Sequence, residues 1–255
     1  MFTFLLQCCT RIFSLNSVSN DIITAYKRGD KNLNLRHEWK HLINYGDMIV
    51  LRKRLSAVMK TDENAVDGRY FIRSLYFDTP ADTALREKID GISRREKFRI
   101  RYYNFDTTVI HLEKKSKTAG LCSKKSAELT KEQVRKIIDG DIGWMKDSED
   151  ELIRELYQKM TVQQLKPKTI VDYWREPFVY PAGNVRVTLD YEIRTGLASK
   201  DFFSKDCPTV SVPDNPIILE VKWDEFLPTV IRNAIQIGDR RTSAFSKYAT
   251  CRIYD

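Results

Sequence analysis

An α+β fold built on a largely antiparallel sheet is what the sequence predicts, and three observations predict it. At least seven short stretches alternate apolar with charged residues at the period of a β-strand. Proline, glycine and asparagine punctuate them, as at Thr79-Pro80, Gly91 and Asn104. Helical stretches with capping residues are inserted between the strands. The 255 residues are 42% hydrophobic, 11% aromatic and 31% charged, which is the composition of a globular chain with enough material for a core.

Residues 1–30 read as an N-terminal extension and 31–255 as one folded domain. The segment Met1 to Phe13 is too short and too interrupted to span a bilayer, and it lacks the basic flank of a secretory signal. Around Leu35 to Lys40 a strand places Arg36, Glu38 and Lys40 on one face. His37 and His41, four apart on that strand, make no metal pair. Residues 45–60 form a helix with Asp47 as N-cap and Leu51, Leu55 and Val58 on its buried face. Tyr70 to Asp78 is a strand that stops at Pro80, and a short helix follows from Ala81 to Asp90.

Next, Glu96 to Tyr103 sets Lys97, Arg99 and Arg101 on one face, neighbours ~7 Å apart, with Phe98, Ile100 and Tyr102 on the other. A turn at Asn104-Phe105-Asp106 pairs it with Thr107 to Lys117. Thr130 caps a helix from Lys131 to Asp139, with Gln133 completing a capping box and Gly140 as its stop. A second helix runs from Asp147 to Met160. Strands follow at Lys168 to Arg175, Asn184 to Arg194 and Ile217 to Trp223, then a helix from Pro228 to Ile237. Trp39, Trp174 and Trp223 read as packing between sheet and helices.

Charge gives the functional lead. The net charge of +8 favours an anionic partner: nucleic acid, phosphate compounds or an acidic membrane surface. Five strands share one theme: Arg36/Glu38/Lys40, Lys97/Arg99/Arg101, Glu113/Lys115/Lys117, Arg186/Thr188/Asp190 and Glu220/Lys222. These faces carry nine basic and four acidic residues. Either they face water on an open sheet, or they line the inside of a barrel. Inside, the cations need partners, and phosphates supply them through charge-assisted hydrogen bonds. The carboxylates suit Mg²⁺ or Mn²⁺, which take oxygen ligands. Nucleic acid is not expected, because no binding motif appears and no stacking aromatics share the basic faces. Cys8, Cys9, Cys122, Cys207 and Cys251 form no CxxC pair, so neither a zinc ribbon nor a disulfide framework is expected, and a reducing cytoplasm fits.

A family resemblance now enters. Arg36-His37-Glu38-Trp39-Lys40, Ser74-Leu75-Tyr76-Phe77-Asp78-Thr79, Arg99-Ile100-Arg101 and Leu112-Glu113-x-Lys115-x-Lys117 occur in that order. Tyr173-x-Arg175, Arg186-Val187-Thr188-Leu189-Asp190, Leu219-Glu220-Val221-Lys222 and Phe245-Ser246-Lys247-Tyr248 follow. Together they resemble the VTC domain, the polyphosphate polymerase module of the triphosphate tunnel metalloenzyme (CYTH-like) superfamily, from about Leu33 to Tyr254.

The resemblance implies an antiparallel β-barrel tunnel with a charged interior and helices packed outside. It implies a transferase that passes the γ-phosphoryl group of ATP to a polyphosphate chain, with pyrophosphate and inorganic polyphosphate as further ligands and Mn²⁺ or Mg²⁺ as cofactor. By motif, Arg99, Arg101 and Lys247 take the catalytic role. Lys40, Lys97, Lys115, Lys117, Arg175, Arg186, Lys222 and Tyr76 bind substrate, and Glu220, Glu38 and Glu113 bind the metal. A tunnel triphosphatase acting on tripolyphosphate or a nucleoside triphosphate shares every phosphate contact, and a non-catalytic polyphosphate-binding module shares the basic face. No SPX-type regulatory domain and no membrane-spanning stretch is read in the chain.

Overall fold

The computed structural model describes residues 36–118, 121–238 and 241–254. The expected 1–30 extension, with Cys8 and Cys9, lies outside them. The chain runs β1 (His37–Ile43), α1 (Tyr45–Val58), β2 (Lys60–Thr61), β3 (Tyr70–Asp78), α2 (Thr83–Ile89) and the hairpin β4 (Arg95–Tyr103) and β5 (Asp106–Thr118). It continues through β6 (Leu121–Leu129), α3 (Lys131–Asp139), α4 (Glu151–Val162), β7 (Lys166–Tyr180) and β8 (Val185–Thr195). Last come β9 (Val210–Ser211), β10 (Ile217–Trp223), α5 (Thr229–Ala234) and α6 (Lys247–Cys251).

Every strand pairing among the described residues is antiparallel, in the order β1-β10-β8-β7-β3-β4-β5-β6, with β2 beside β7 and β9 beside β8. The sheet curls until its edges meet. The Arg36 amide donates to the Cys122 carbonyl at 3.2 Å, and Lys115 of β5 reaches Glu38 of β1 at 2.7 Å. This joins the two edge strands, which would otherwise be left unpaired.

Local chemistry explains the elements. In the β4–β5 turn, Asn104 and Phe105 take φ of +49° and +57°, the backbone of a two-residue hairpin. The Asn104 side chain also accepts from the Phe71 amide at 2.8 Å, tying the turn to β3. Thr130 and Gln133 form the expected reciprocal box, and Gly140 ends α3 at φ +84°. Four expectations need correction. The N-cap of α1 is Asn44, because Asp47 sits three residues inside and reaches back to the Asn44 amide. The α4 helix starts at Glu151, where the Asp150 carboxylate accepts from the Leu152 and Ile153 amides, and the earlier Gly143–Asp147 is a 3-10 turn. The α5 helix is only Thr229–Ala234. Trp39 is 38% exposed, edge-on to the buried Trp223.

Strand alternation sorts the side chains into two outer cores and an interior. Outside β3–β6, Leu75, Phe98, Ile100, Tyr102 and Leu112 pack under Val134, Ile137, Leu152 and Leu156 of α3 and α4. Outside β8 and β10, Val187, Leu189, Leu219 and Val221 pack under Leu51 and Leu55 of α1 and Ile231 of α5. Each fully buried aliphatic side chain contributes roughly 1.5–3 kcal/mol. A third cluster fills part of the interior: Ile72, Val171, Tyr173, Ile193 and Ile218 surround Tyr248 and Cys251 of α6. The remaining interior is charged.

Candidate phosphate-binding site

The inward faces of β4, β5, β7, β8, β10 and β1 bring their charged residues around one cavity of about 270 Å³. Lys40, Lys97, Arg99, Arg101, Lys115, Arg175, Arg186, Lys222 and Lys247 line it, with Tyr76, Glu38, Glu113 and Glu220. Lys117 lies apart, in an adjoining cavity towards α2. Strand parity accounts for most of this set, since each strand offers alternate residues to the interior. Lys247 arrives differently: Ser246 caps α6, and the helix is anchored inside by Tyr248, whose hydroxyl donates to buried Asp78 at 2.5 Å.

Three carboxylate groupings offset part of this positive charge. On β1 and β10, Lys40 lies 2.9 Å from Glu38 and 3.3 Å from Glu220, and Lys222 lies 2.5 Å from Glu220 and 3.7 Å from Glu38. On β5, Glu113 meets Arg99 at 2.6 Å, Lys124 at 3.0 Å and Arg101 at 3.9 Å. On β8, fully buried Asp190 takes Arg175 through two bonds of 2.6 and 2.7 Å and Lys247 at 2.5 Å. Burial pushes the Glu220, Glu113 and Asp190 carboxyls up, but the facing lysines and arginines outweigh it and hold all three ionised.

Hydroxyls complete the wall. Arg101 donates to Ser74 and to Tyr173, both at 2.9 Å, Arg99 to Tyr76 at 3.0 Å, and Arg186 to Tyr70 at 2.5 Å. Burial lowers the Lys97 ammonium to about 7, helped by Lys115, Lys40 and Arg99. Burial alone would raise the Tyr76 phenol, yet Arg99, Lys97 and Arg101 bring it down to about 7. Two buried atoms on β8, Arg186 Nε and Thr188 Oγ1, have no hydrogen-bond partner among the described residues. Such a surface favours a multiply charged anion bearing several oxygen acceptors.

Sequence reasoning omitted Tyr173, Tyr70, Ser74, Lys124 and Asp190 from the site. The first was legible, because Tyr173 sits two residues from Arg175 on the same strand face. Asp190 was legible as an inward residue, but its cations come from β7 and α6, which only the fold brings to it. As for a metal, Glu38 and Glu220 share two lysines and lie diagonally across β1 and β10, whereas Glu113 stands on another wall among Arg99, Arg101 and Lys124. No group of three His, Cys, Asp or Glu suited to a metal occurs among the described residues. Two ionised carboxylates fit a hard divalent cation that completes its shell with phosphate oxygens and water.

The model of the VTC domain matches residues 35–253. No curated relative matches the sequence. Among solved structures, a Bacillus halodurans protein described as a candidate adenylate cyclase is 15% identical, covering 75% of this chain and 81% of its own at a TM-score of 0.47. The PH1012 protein of Pyrococcus horikoshii is 11% identical, covering 84% and 98%, also at 0.47. The Mimivirus capping enzyme triphosphatase is 11% identical, covering 84% and 92% at 0.37.

Proposed function

The chain belongs to the VTC domain family of the triphosphate tunnel (CYTH-like) superfamily, and from that premise we propose that it is a polyphosphate polymerase. The reaction proposed transfers the γ-phosphoryl group of ATP to the end of a polyphosphate chain. The observation that carries this reading is the convergence of lysines and arginines from six strands and α6 on one cavity. Phosphoryl transfer asks little covalent chemistry of a protein and much positioning and charge neutralisation.

Arg99, Arg101, Arg175, Arg186 and Lys247 would grip the phosphates, with Lys40, Lys97, Lys115, Lys222 and Tyr76 around them. A terminal oxygen of the chain attacks the γ-phosphorus as the bond to the β-phosphate oxygen breaks, and ADP leaves with the electron pair. Glu38 and Glu220 would hold a divalent cation, Mn²⁺ or Mg²⁺, which when bound neutralises charge on the phosphate oxygens. Glu113 and Asp190 keep Arg99 and Arg175 aimed inward rather than contacting phosphate themselves. No helix among the described residues is long and apolar enough to cross a membrane. We assign it to a reducing cytoplasm, with which the buried Cys122 and Cys207 thiols accord.

The test is incubation with ATP and Mn²⁺, resolving products on a gel stained for polyphosphate, with Glu220→Ala alongside. The reading requires a long-chain ladder with ADP, reduced at least about tenfold in the variant, the loss expected for one charge-assisted contact. Phosphate release without a ladder would instead assign a tunnel triphosphatase. Tight polyphosphate binding with no turnover would assign a binding module.

A further inference from the structure

Cross-strand register divides the basic wall of β4 and β5 into two zones. Deep in the cavity, Arg99 stands opposite Glu113, a compensated pair. Further out, Lys97 stands opposite Lys115 and Arg95 opposite Lys117. Like charges directly opposite on a sheet destabilise it, and here two successive registers carry them. Inward-facing Arg95, Lys97, Arg99 and Arg101 thus form a row ~20 Å long, six residues of strand.

Beside the outer zone lies a second cavity of about 110 Å³, which adjoins the first and shares Lys40, Lys97, Lys115 and Ser246 with it. The α2 helix lies along it and adds Lys88. None of Lys88, Arg95 and Lys117 forms an ion pair among the described residues; Arg95 donates only to the Ile92 carbonyl. The carboxylates that line this cavity are committed elsewhere, Glu96 to Lys114 and Lys159, and Glu38 to Lys40, Lys115 and Lys222. Burial, Arg95, Lys40 and Lys117 all press the Lys88 ammonium downward, as expected of a cation lacking a counter-ion.

We infer that Lys88, Arg95 and Lys117 form a chain subsite that holds phosphates beyond those gripped by Arg99, Arg101 and Arg175. The inference rests on the polyphosphate reading above and adds to it a direction: the chain lies along the α2 side. The ligand is the linear polyanion itself, recognised by its charge and by nothing in a nucleoside.

The test compares wild type with Lys88→Ala/Arg95→Ala, measuring affinity for tripolyphosphate and for a linear polyphosphate several times longer, by calorimetry at fixed salt. The expected result is tripolyphosphate affinity within about twofold of wild type and long-chain affinity weakened about tenfold, the effect of removing two solvent-accessible cations that each pair with a phosphate. A Lys88→Arg variant, which keeps the charge, should retain long-chain affinity. Unchanged long-chain affinity would overturn the subsite, and so would loss of both affinities together. Weakened ATP binding with intact long-chain binding would overturn it too, giving the mouth to the nucleoside. These binding measurements stand whether or not the wild type makes a ladder, so the subsite and the polymerase reading can fail separately.

Discussion

Asp190→Asn isolates the device that keeps the basic interior folded. Asp190 is fully buried and is held by Arg175 at 2.6 and 2.7 Å and by Lys247 at 2.5 Å. Asparagine keeps the volume but leaves two buried cations without their countercharge. Breaking a buried pair from one side costs roughly 3–5 kcal/mol, which in a domain of this size lowers Tm by about 10 °C. Tripolyphosphate supplies the missing negative charge, so its binding should stabilise the variant more than the wild type. At a ligand concentration about 100-fold above Kd the wild type gains about 2.7 kcal/mol, and the variant's Tm deficit should shrink to about half. Facing cations depress the folded-state pKa of Asp190. Its stabilisation is therefore present above the unfolded value near ~3.9 and lost as pH falls through the lower folded one, so the deficit should close only in acid. Thermal melts of both proteins, with and without tripolyphosphate, measure all of this. A variant melting within about 2 °C of wild type, or an equal ligand increment in both, would refute the reasoning.

Other outcomes follow from the same geometry. Lys97 and Tyr76 titrate near 7 in the free protein, and bound phosphate favours the ammonium and the neutral phenol. Binding above that pH therefore takes up protons, and tripolyphosphate affinity should fall as pH rises, by at most about tenfold per pH unit for each group. Lys97→Arg, charged throughout, should flatten that fall relative to wild type in the same buffers, and an unchanged slope would exclude Lys97 as its source. On the outer face, Arg73 holds Asp172 through bonds of 2.9 and 2.8 Å and donates to the Phe202 carbonyl at 3.3 Å. Asp172→Ala should cost about 3–5 kcal/mol in chemical denaturation while leaving the tripolyphosphate Kd of the folded protein unchanged. Thr130→Ala removes the α3 cap and should cost about 1 kcal/mol, again without altering ligand affinity.

Much of this molecule was legible because one rule governs it. In a strand with one apolar face, alternation alone sorts the residues onto two faces, and the family resemblance turned the charged one inward. That is why the β4 cations, the β10 pair of Glu220 and Lys222, and the full extent of β10 could be placed from the chain. The α3 helix was legible too, since Thr130, Gln133 and Gly140 are local signals that need no tertiary partner. Other features depend on contacts distant in sequence. The β7 strand extends past Arg175 through Pro177, because β8 pairs with it on one side and β2 on the other. Asp190 gained its role only when α6 brought Lys247 to it, and Lys88 when α2 was laid across the mouth. Glu113 reads in sequence like Glu38 and Glu220, an inward acid between lysines. The barrel sets it opposite Arg99 instead of beside the other two.

The fate of the γ-phosphate decides the central claim most directly. The protein should be given ATP labelled at that position, with Mn²⁺ and a polyphosphate primer, and the label followed into chain, free phosphate and nucleotide. A polymerase places the label on the chain in step with ADP formed, and Arg99→Ala loses that transfer. Label appearing as free phosphate, with the primer no longer than at the start, would contradict the account.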